Sequence, residues 1–283
     1  MRAPHDDIVQ ANGVDICVDG FGDRADPAVL LIMGSGASMD WWEDEFCERL
    51  AAGGRFVVRY DHRDTGRSVS YEPGAPGYTG DDLIDDVVGV LDALDIPRAH
   101  LVGMSMGGAI AQVVALDHPE RVASLTLIAT SPAGPDDDLP GMSPETVAAF
   151  KMDTPDWSDR EAVIDHMVDL ERVCASRSKP FDEPGFREIC ARAFDRTVNV
   201  ESMTTNHNLV EGGARWRERL PELDLPTLVI HGTDDPILPY PHGQALANEI
   251  PGARLLTLEA TGHELPRRTW DVAVPAILEV SSR

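Results

Sequence analysis

Short apolar runs alternate with segments of helical spacing along most of the chain. Residues 28–33 and 55–60 are apolar or β-branched runs, the first ending at Gly34 and the second at Asp61. Neither alternates with period two, so both are expected to be buried on both faces. Between them, residues 41–52 have helical spacing. Residues 81–94 place Leu83, Val87, Val90, Leu91 and Leu94 on one helical face with acids on the other. Residues 100–104 then predict a short strand, 106–116 a small-residue apolar helix, and 124–130 another strand. Upstream, strand-like residues 7–10 and 14–19 flank Asn12-Gly13, a strong hairpin signal. This alternation predicts an α/β fold with a mostly parallel central sheet flanked by helices.

The rhythm breaks from Ser131 to about Trp216. That stretch holds Pro132, Pro135, Pro140, Pro144, Pro155, Pro180 and Pro184, with helical pattern at 160–173 and 185–194. A structureless loop of that length is improbable, so it is expected to be a helical insertion covering one end of the sheet. The pattern resumes with strands at 227–230 and 254–258 and helices at 241–249 and 270–280. The expected organisation is a core of residues 1–131 and 217–283, with a helical cap insertion at 132–216.

Composition narrows the function classes. The chain has 283 residues, 42% hydrophobic and 26% charged, which is ordinary for a globular protein of one or two domains. Lys+Arg is 24 against Asp+Glu 49, a net charge of −25. Such a surface repels phosphate backbones and anionic lipid, so neither nucleic acid nor membrane is expected as a partner. Cys17, Cys47, Cys174 and Cys190 have no C-x-x-C spacing and are read as small buried or half-buried hydrophobes. No Cys/His pair sits at ligand spacing for a structural zinc site. Residues 1–10 carry Arg2, Asp6 and Asp7 and lack the apolar stretch of a signal peptide, so a cytoplasmic location is expected.

The candidate chemistry starts at Gly103-Met104-Ser105-Met106-Gly107, a G-x-S-x-G motif between a predicted strand and a predicted helix. A serine held on such a turn needs a base within hydrogen-bond reach and a group to orient that base. His263, in Thr261-Gly262-His263 after the last predicted strand, is the favoured base. His231 and His62 are the next candidates. The orienting acid belongs between serine and histidine in chain order, where Asp234 and Asp235 lie. Asp235 is favoured because Pro236 biases it to an extended conformation. An oxyanion needs donors: the backbone N–H of Met106 is one, and the glycine-rich loop Met33-Gly34-Ser35-Gly36 supplies the other, with the Ser35 N–H favoured over the Ser35 side chain. Met33, Gly34 and Met104 flank these turns and are expected to touch substrate. The charged run from Asp61 to Ser68 is read chiefly as a loop locked by Asp61, Arg63 and Gly66. Among Phe150, Met152, Trp157, Met167, Phe181, Phe186, Phe194, Met203 and Trp216 of the insertion, about a third are expected to face a ligand.

These residues together resemble the α/β-hydrolase superfamily. The likeness rests on Gly103–Gly107, the Met33-Gly34 loop, the run Asp61-His62-Arg63-Asp64-Thr65-Gly66-Arg67-Ser68, Asp235-Pro236 and Gly262-His263. Within the superfamily the chain looks closest to the aclacinomycin methyl esterase group, by residues 59–68, Ala115-Leu116-Asp117-His118 and residues 226–263. That resemblance implies Ser105 as nucleophile, His263 as base, Asp235 as acid, and an oxyanion hole from the Ser35 and Met106 N–H groups. It implies hydrolysis of a small or medium apolar ester, such as a polyketide methyl ester, by a mechanism that calls for no metal or organic cofactor. A C–C bond hydrolase or lactonase would use the same residues. A ligand-binding protein on a hydrolase scaffold is the non-enzymatic alternative, and it is disfavoured by an intact Ser, His and Asp set.

Overall fold

A computed structural model of the chain describes residues 6–132, 138–210 and 216–282. Arg2, Pro135 and the ends of the insertion at 133–137 and 211–215 lie outside the described residues. The chain opens with a hairpin, β1 (Asp7–Ala11) and β2 (Val14–Phe21). Its two-residue turn takes φ of 48° at Asn12 and 76° at Gly13, the left-handed pair that a tight hairpin requires. Next come β3 (Ala28–Ile32), α1 (Asp44–Ala52), β4 (Phe56–Tyr60) and α2 (Gly80–Ala93). They are followed by β5 (Ala99–Met104), α3 (Met106–Asp117) and β6 (Val122–Ile128). The insertion contributes α4 (Pro144–Ala149), α5 (Arg160–Cys174), α6 (Glu183–Arg196) and α7 (Val200–Thr205). The chain closes with β7 (Thr227–Gly232), α8 (Pro241–Glu249), β8 (Arg254–Leu258) and α9 (Trp270–Val280).

The eight strands form one sheet in the order β1-β2-β4-β3-β5-β6-β7-β8. β1 and β2 run antiparallel to their neighbours, and every pairing from β4 to β8 is parallel. The middle strands are apolar throughout because helices cover both faces. Leu30, Ile32, Leu101, Leu125 and Val229 pack on one side with Val87, Val90, Ala111, Val114 and Leu246 of α2, α3 and α8. Val29, Leu31, Val102, Ile128 and Ile230 pack on the other with Phe46, Leu50, Trp270 and Ile277 of α1 and α9.

The order reverses at β3, which lies between β4 and β5 although β4 follows it in sequence. A parallel sheet leaves a crevice at such a reversal, beyond the carboxyl ends of the strands. The loops after β3 and β5 therefore emerge side by side.

Two predicted elements shift. The strand expected at 124–130 is β6, which starts at Val122 and stops at Ile128, because Ala129 turns to φ 45°. The helix expected at 41–52 divides: a 3₁₀ turn at Met39–Trp41 is capped by Ser38, and α1 starts afresh at Asp44. Among the described residues, no strand lies between β6 and β7, and α5, α6 and α7 share an apolar cluster of Val163, Ile164, Met167, Val168, Cys190, Ala193 and Met203. No described helix is long and apolar enough to cross a membrane.

Candidate active site

Ser105 sits at the sharp turn from β5 into α3, with φ 53° and ψ −119°. A non-glycine residue rarely adopts that conformation, and here the surroundings over-determine it. The Ser105 N–H donates to Ile128 O at 2.9 Å, while Ser105 O accepts from Thr130 Oγ1 at 2.7 Å and from Gly108 N at 2.9 Å. The flanking glycines are steric necessities. A Cβ on Gly103 would run into the Gly107 carbonyl, and one on Gly107 into the Ile32 carbonyl. The turn thus forces the Ser105 side chain to the carboxyl edge of the sheet.

The other groups arrive on the loops after β7 and β8. His263 Nε2 lies 2.9 Å from Ser105 Oγ, and His263 Nδ1 lies 2.8 Å from Asp235 Oδ2. The second oxygen of Asp235 accepts the backbone N–H groups of Ile237 and Leu238, each at 2.9 Å. Burial alone would raise the Asp235 carboxyl. The charge of His263 and the bonds from His231 and His263 outweigh burial and hold it well below the usual carboxylate range. An ionised Asp235 accepts only, so His263 carries its proton on Nδ1 and presents a bare Nε2 to the serine hydroxyl.

The competing candidates go elsewhere. Asp234 accepts from Ser176 Oγ at 2.7 Å, and its N–H donates to Thr261 O. The His231 side chain is fully buried behind Asp235, with Nε2 2.7 Å from Leu238 O and 3.4 Å from Asp235 Oδ2. His62 is buried under the loop after β3 and donates from Nε2 to Met33 O at 2.9 Å.

That loop lies directly over the serine. A Cβ on Gly34 would stand 3.2 Å from Ser105 Cβ. Ser35 is exposed at the loop's tip, and the Gly36 N–H donates to His207 Nδ1 at 3.0 Å. Met106 is the first residue of α3, where a helical N–H has no partner within the helix. Met33 and Met104 line a cavity that also takes in His263, whereas Gly34 packs against Ser105 and the Met104 carbonyl.

The cavity runs between the 3₁₀ turn and α1 on one side, α5 and α6 on another, and residues 263–270. Of the insertion's apolar side chains singled out from the sequence, Phe181 and Phe186 line it. Trp41, Trp42, Phe46 and Trp270 come from the core and were not foreseen. Glu171 on α5 was also missed. It lines the cavity and accepts the Trp41 Nε1–H at 2.9 Å. Burial pushes its carboxyl up to about 7, although Trp41 and His263 pull the other way. A signal existed: Val163, Met167 and Glu171 are four residues apart, so an acid continues the apolar stripe of a helix.

The insertion is stitched to the site. The His263 N–H donates to Cys174 O at 2.8 Å, and a Cβ on Gly262 would collide with that same carbonyl. The run from Asp61 to Ser68 is buried apart from Arg67. Arg63 grips Asp86 through two bonds of 2.7 and 2.8 Å, and Gly66, at φ 50°, leaves room for the Asp61 carboxylate. Asp61 also meets Arg196 of α6 in an ion pair absent from the sequence-based reading. Cys17, Cys47 and Cys190 are buried, Cys174 is half-buried, and all four are free. Among the described residues, no group of three His, Cys, Asp or Glu side chains is placed to hold a metal ion.

A doubly wound sheet with Ser105 on a strained strand-to-helix turn, bonded to a histidine and through it to a carboxylate, has the architecture of a hydrolase. The chain belongs to the alpha/beta hydrolase fold family, whose model matches residues 27–266. It is 35% identical over 286 residues to the rhodomycin D methylesterase DauP of Streptomyces sp. (strain C5), covering 95% of this chain and 96% of that one. It is 34% identical to the rhodomycin D methylesterase DnrP of Streptomyces peucetius, with coverage of 95% and 96%. Among solved structures, the enol-lactonase from Burkholderia xenovorans LB400 superposes with a TM-score of 0.76 at 25% identity, covering 98% of this chain and 100% of that one.

Proposed function

We propose that this protein is a serine carboxylic-ester hydrolase acting on the methyl ester of a polyketide-like small molecule. The observation that carries the reading is the unbroken hydrogen-bond line from Ser105 Oγ through His263 to Asp235. Near-full-length likeness to two methylesterases supports the substrate class.

In this reading Ser105 Oγ gives its proton to His263 Nε2 and attacks the ester carbonyl carbon. Negative charge moves to the carbonyl oxygen, where the Ser35 and Met106 N–H groups receive it. Asp235 stabilises the imidazolium that forms. His263 then returns the proton to the departing methoxide oxygen, releasing methanol and leaving an acyl-enzyme. Water repeats the cycle on the acyl carbon and frees the acid and Ser105. Residues 132–216 act as a cap domain whose Phe181 and Phe186 close the apolar side of the cavity. The strongly acidic surface favours a dissolved small molecule as partner over nucleic acid or anionic lipid.

Lactones and ring-cleavage diketones present an acyl carbon to the same serine. Those that carry a carboxylate fit this cavity poorly. Its two arginines are engaged, Arg267 with Glu43 and Arg268 with Glu264 at 3.3 Å, and Glu171 and Asp182 add negative charge. The test is methanol release from aromatic polyketide methyl esters by purified wild type beside Ser105→Ala. Release by wild type alone is the expected result. Silence from wild type on methyl and p-nitrophenyl esters alike would overturn the reading.

A further inference from the structure

His231 is the penultimate residue of β7, and its side chain is fully buried. Its Nε2 lies 2.7 Å from Leu238 O. A carbonyl oxygen only accepts, so the ring carries its proton on Nε2. Nδ1 is then a bare acceptor, buried, and among the described residues nothing bonds to it. A phenylalanine or leucine would fill the same slot without burying an unmatched nitrogen, which costs free energy. What the histidine supplies in exchange is the Nε2–H.

That N–H stands at the root of the Asp235 carboxylate. Leu238, whose carbonyl it meets, is the residue whose own N–H donates to Asp235 Oδ1 at 2.9 Å. The other oxygen, Oδ2, lies 2.8 Å from His263 Nδ1 and 3.4 Å from His231 Nε2. One ring therefore pins the turn at residues 235–238 and sets an N–H edge beside the oxygen that orients the base. The ring has no room to move. A Cβ on Gly243 of α8 would stand 2.6 Å from His231 Cβ and 2.7 Å from Nδ1, so the helix lies flush against it. The Tyr240 ring abuts it edge-on, with centroids 6.2 Å apart. The strand end is in turn locked to the His263 loop: the Asp234 N–H donates to Thr261 O at 3.0 Å, and a Cβ on Gly232 would collide with that same carbonyl.

We infer that His231 is a positioning residue for the hydrolysis: through Leu238, and by its own Nε2–H, it aims Asp235 Oδ2 at His263 Nδ1. The inference rests on the esterase reading, since the line from Ser105 to Asp235 gives the aim its purpose. His231 touches neither Ser105 nor the cavity. A histidine that only satisfied Leu238 O would support the fold and leave the chemistry of His263 unchanged, so the two roles differ in what they do to the reacting serine.

The experiment compares two replacements in the full chain. His231→Phe keeps a ring and deletes the donor; His231→Gln sets an amide N–H near the place of Nε2. Each protein is treated with a fluorophosphonate. Ser105 Oγ bonds to phosphorus, fluoride leaves, and the serine proton passes to His263 Nε2, so the labelling rate reads the nucleophile apart from any particular ester. At the alkaline plateau His231→Phe should label about tenfold more slowly, and its kcat on a methyl ester should fall about as much with KM moving much less. The acid limb of its labelling rate should move up by about half a pH unit, because a carboxylate relieved of a donor holds the imidazolium more firmly. Half a unit is about threefold in basicity, too little to offset the loss of aim. His231→Gln should stay within about threefold of wild type with its limb in place. The nearby titratable groups are His263 and Glu264 from the loop after β8, Glu171 and Cys174 from α5, and Tyr240 ahead of α8. All three proteins share them, so a difference in the limb belongs to position 231.

A wild-type rate or an unmoved limb in His231→Phe would overturn the inference, as would a loss that His231→Gln shares. If neither replacement folds, proton–nitrogen correlation spectra of the wild-type imidazoles decide: His231 should carry its proton on Nε2, and a proton on Nδ1 alone would overturn the inference. Labelling as expected without hydrolysis of any ester would leave His231 in its role and remove the esterase reading instead. A wild type that is not labelled at all would overturn both.

Discussion

His207 Nδ1 accepts the N–H of Gly36 at 3.0 Å, and its Nε2 donates to Arg63 O at 2.8 Å. A histidine from the insertion thus ties the loop over Ser105 to the buried run after β4. Burial, with His62 nearby, pushes the His207 ring down to about 4, so Nδ1 stays a bare acceptor until pH falls through that value. Replacing His207 by alanine frees the Gly36 N–H and lets the Ser35 N–H drift. In the proposed mechanism that N–H is an oxyanion donor, which acts in the transition state, so kcat should fall about ten- to a hundredfold with KM moving much less. Asparagine, whose side-chain oxygen can stand in for Nδ1, should recover part of the loss. Steady-state kinetics on one ester, beside melting curves, separates this outcome from simple destabilisation.

The two adjacent aspartates should behave oppositely. Asp235→Asn leaves His263 in the wrong tautomer and should lower kcat about ten-thousandfold, whereas Asp234→Asn weakens a bond to Ser176 and should change kcat/KM by less than about threefold. Comparable losses from both would move the orienting role away from Asp235. The two variants share one ester assay and need a similar fold by circular dichroism.

The sheet was legible because its strands are buried on both faces, so a run such as Val29, Leu30 and Leu31 reads as strand without knowledge of its neighbours. The serine turn was legible for a related reason: Gly103 and Gly107 are dictated by contact with nearby backbone, and such contacts leave a motif. The cavity was much less so. Trp42, Phe46 and Trp270 are part of the core cluster beneath α1 and α9 as well as cavity wall, and nothing in their spacing separates the two roles. His207 and Arg196 act on partners 171 and 135 residues away, and separations of that size leave no local pattern. Glu171 differs, because its place on an apolar helical stripe was visible and went unread.

Arg196 joins the insertion to the core. Its guanidinium meets Asp61, Asp40 at 2.8 Å and Asp6 at 2.7 Å, and Asp61 and Asp40 are buried. Removing one partner of a buried ion pair leaves the other charge without compensation, which typically costs about 3–5 kcal/mol. Arg196→Met should therefore lower the unfolding free energy by an amount in that range, seen as a lower urea midpoint with little change in slope. Burial already raises the Asp61 carboxyl against the pull of Arg196, so without Arg196 it should rise further. Adding Asp61→Asn to Arg196→Met should then recover part of the stability, because the uncompensated charge is gone. A double variant no better than the single one would show that Arg196 contributes by packing.

Glu171 should also leave a mark on stability. Burial raises its carboxyl to about 7 in the folded chain, above the ordinary glutamate value of 4.5, so the native state holds a proton that the unfolded chain releases. By linkage, its contribution is fully present below about 4.5, is lost as pH rises to about 7, and is constant above that. Glutamine has no proton to lose, so the stability of Glu171→Gln relative to wild type should grow across that window. A rise from 4.5 to about 7 corresponds to at most about 3.4 kcal/mol, and less in practice because the group keeps some access to the cavity. Urea denaturation of both proteins at matched pH values measures the gap. A gap that stays constant with pH would mean that Glu171 titrates normally, as a carboxyl in free contact with water does.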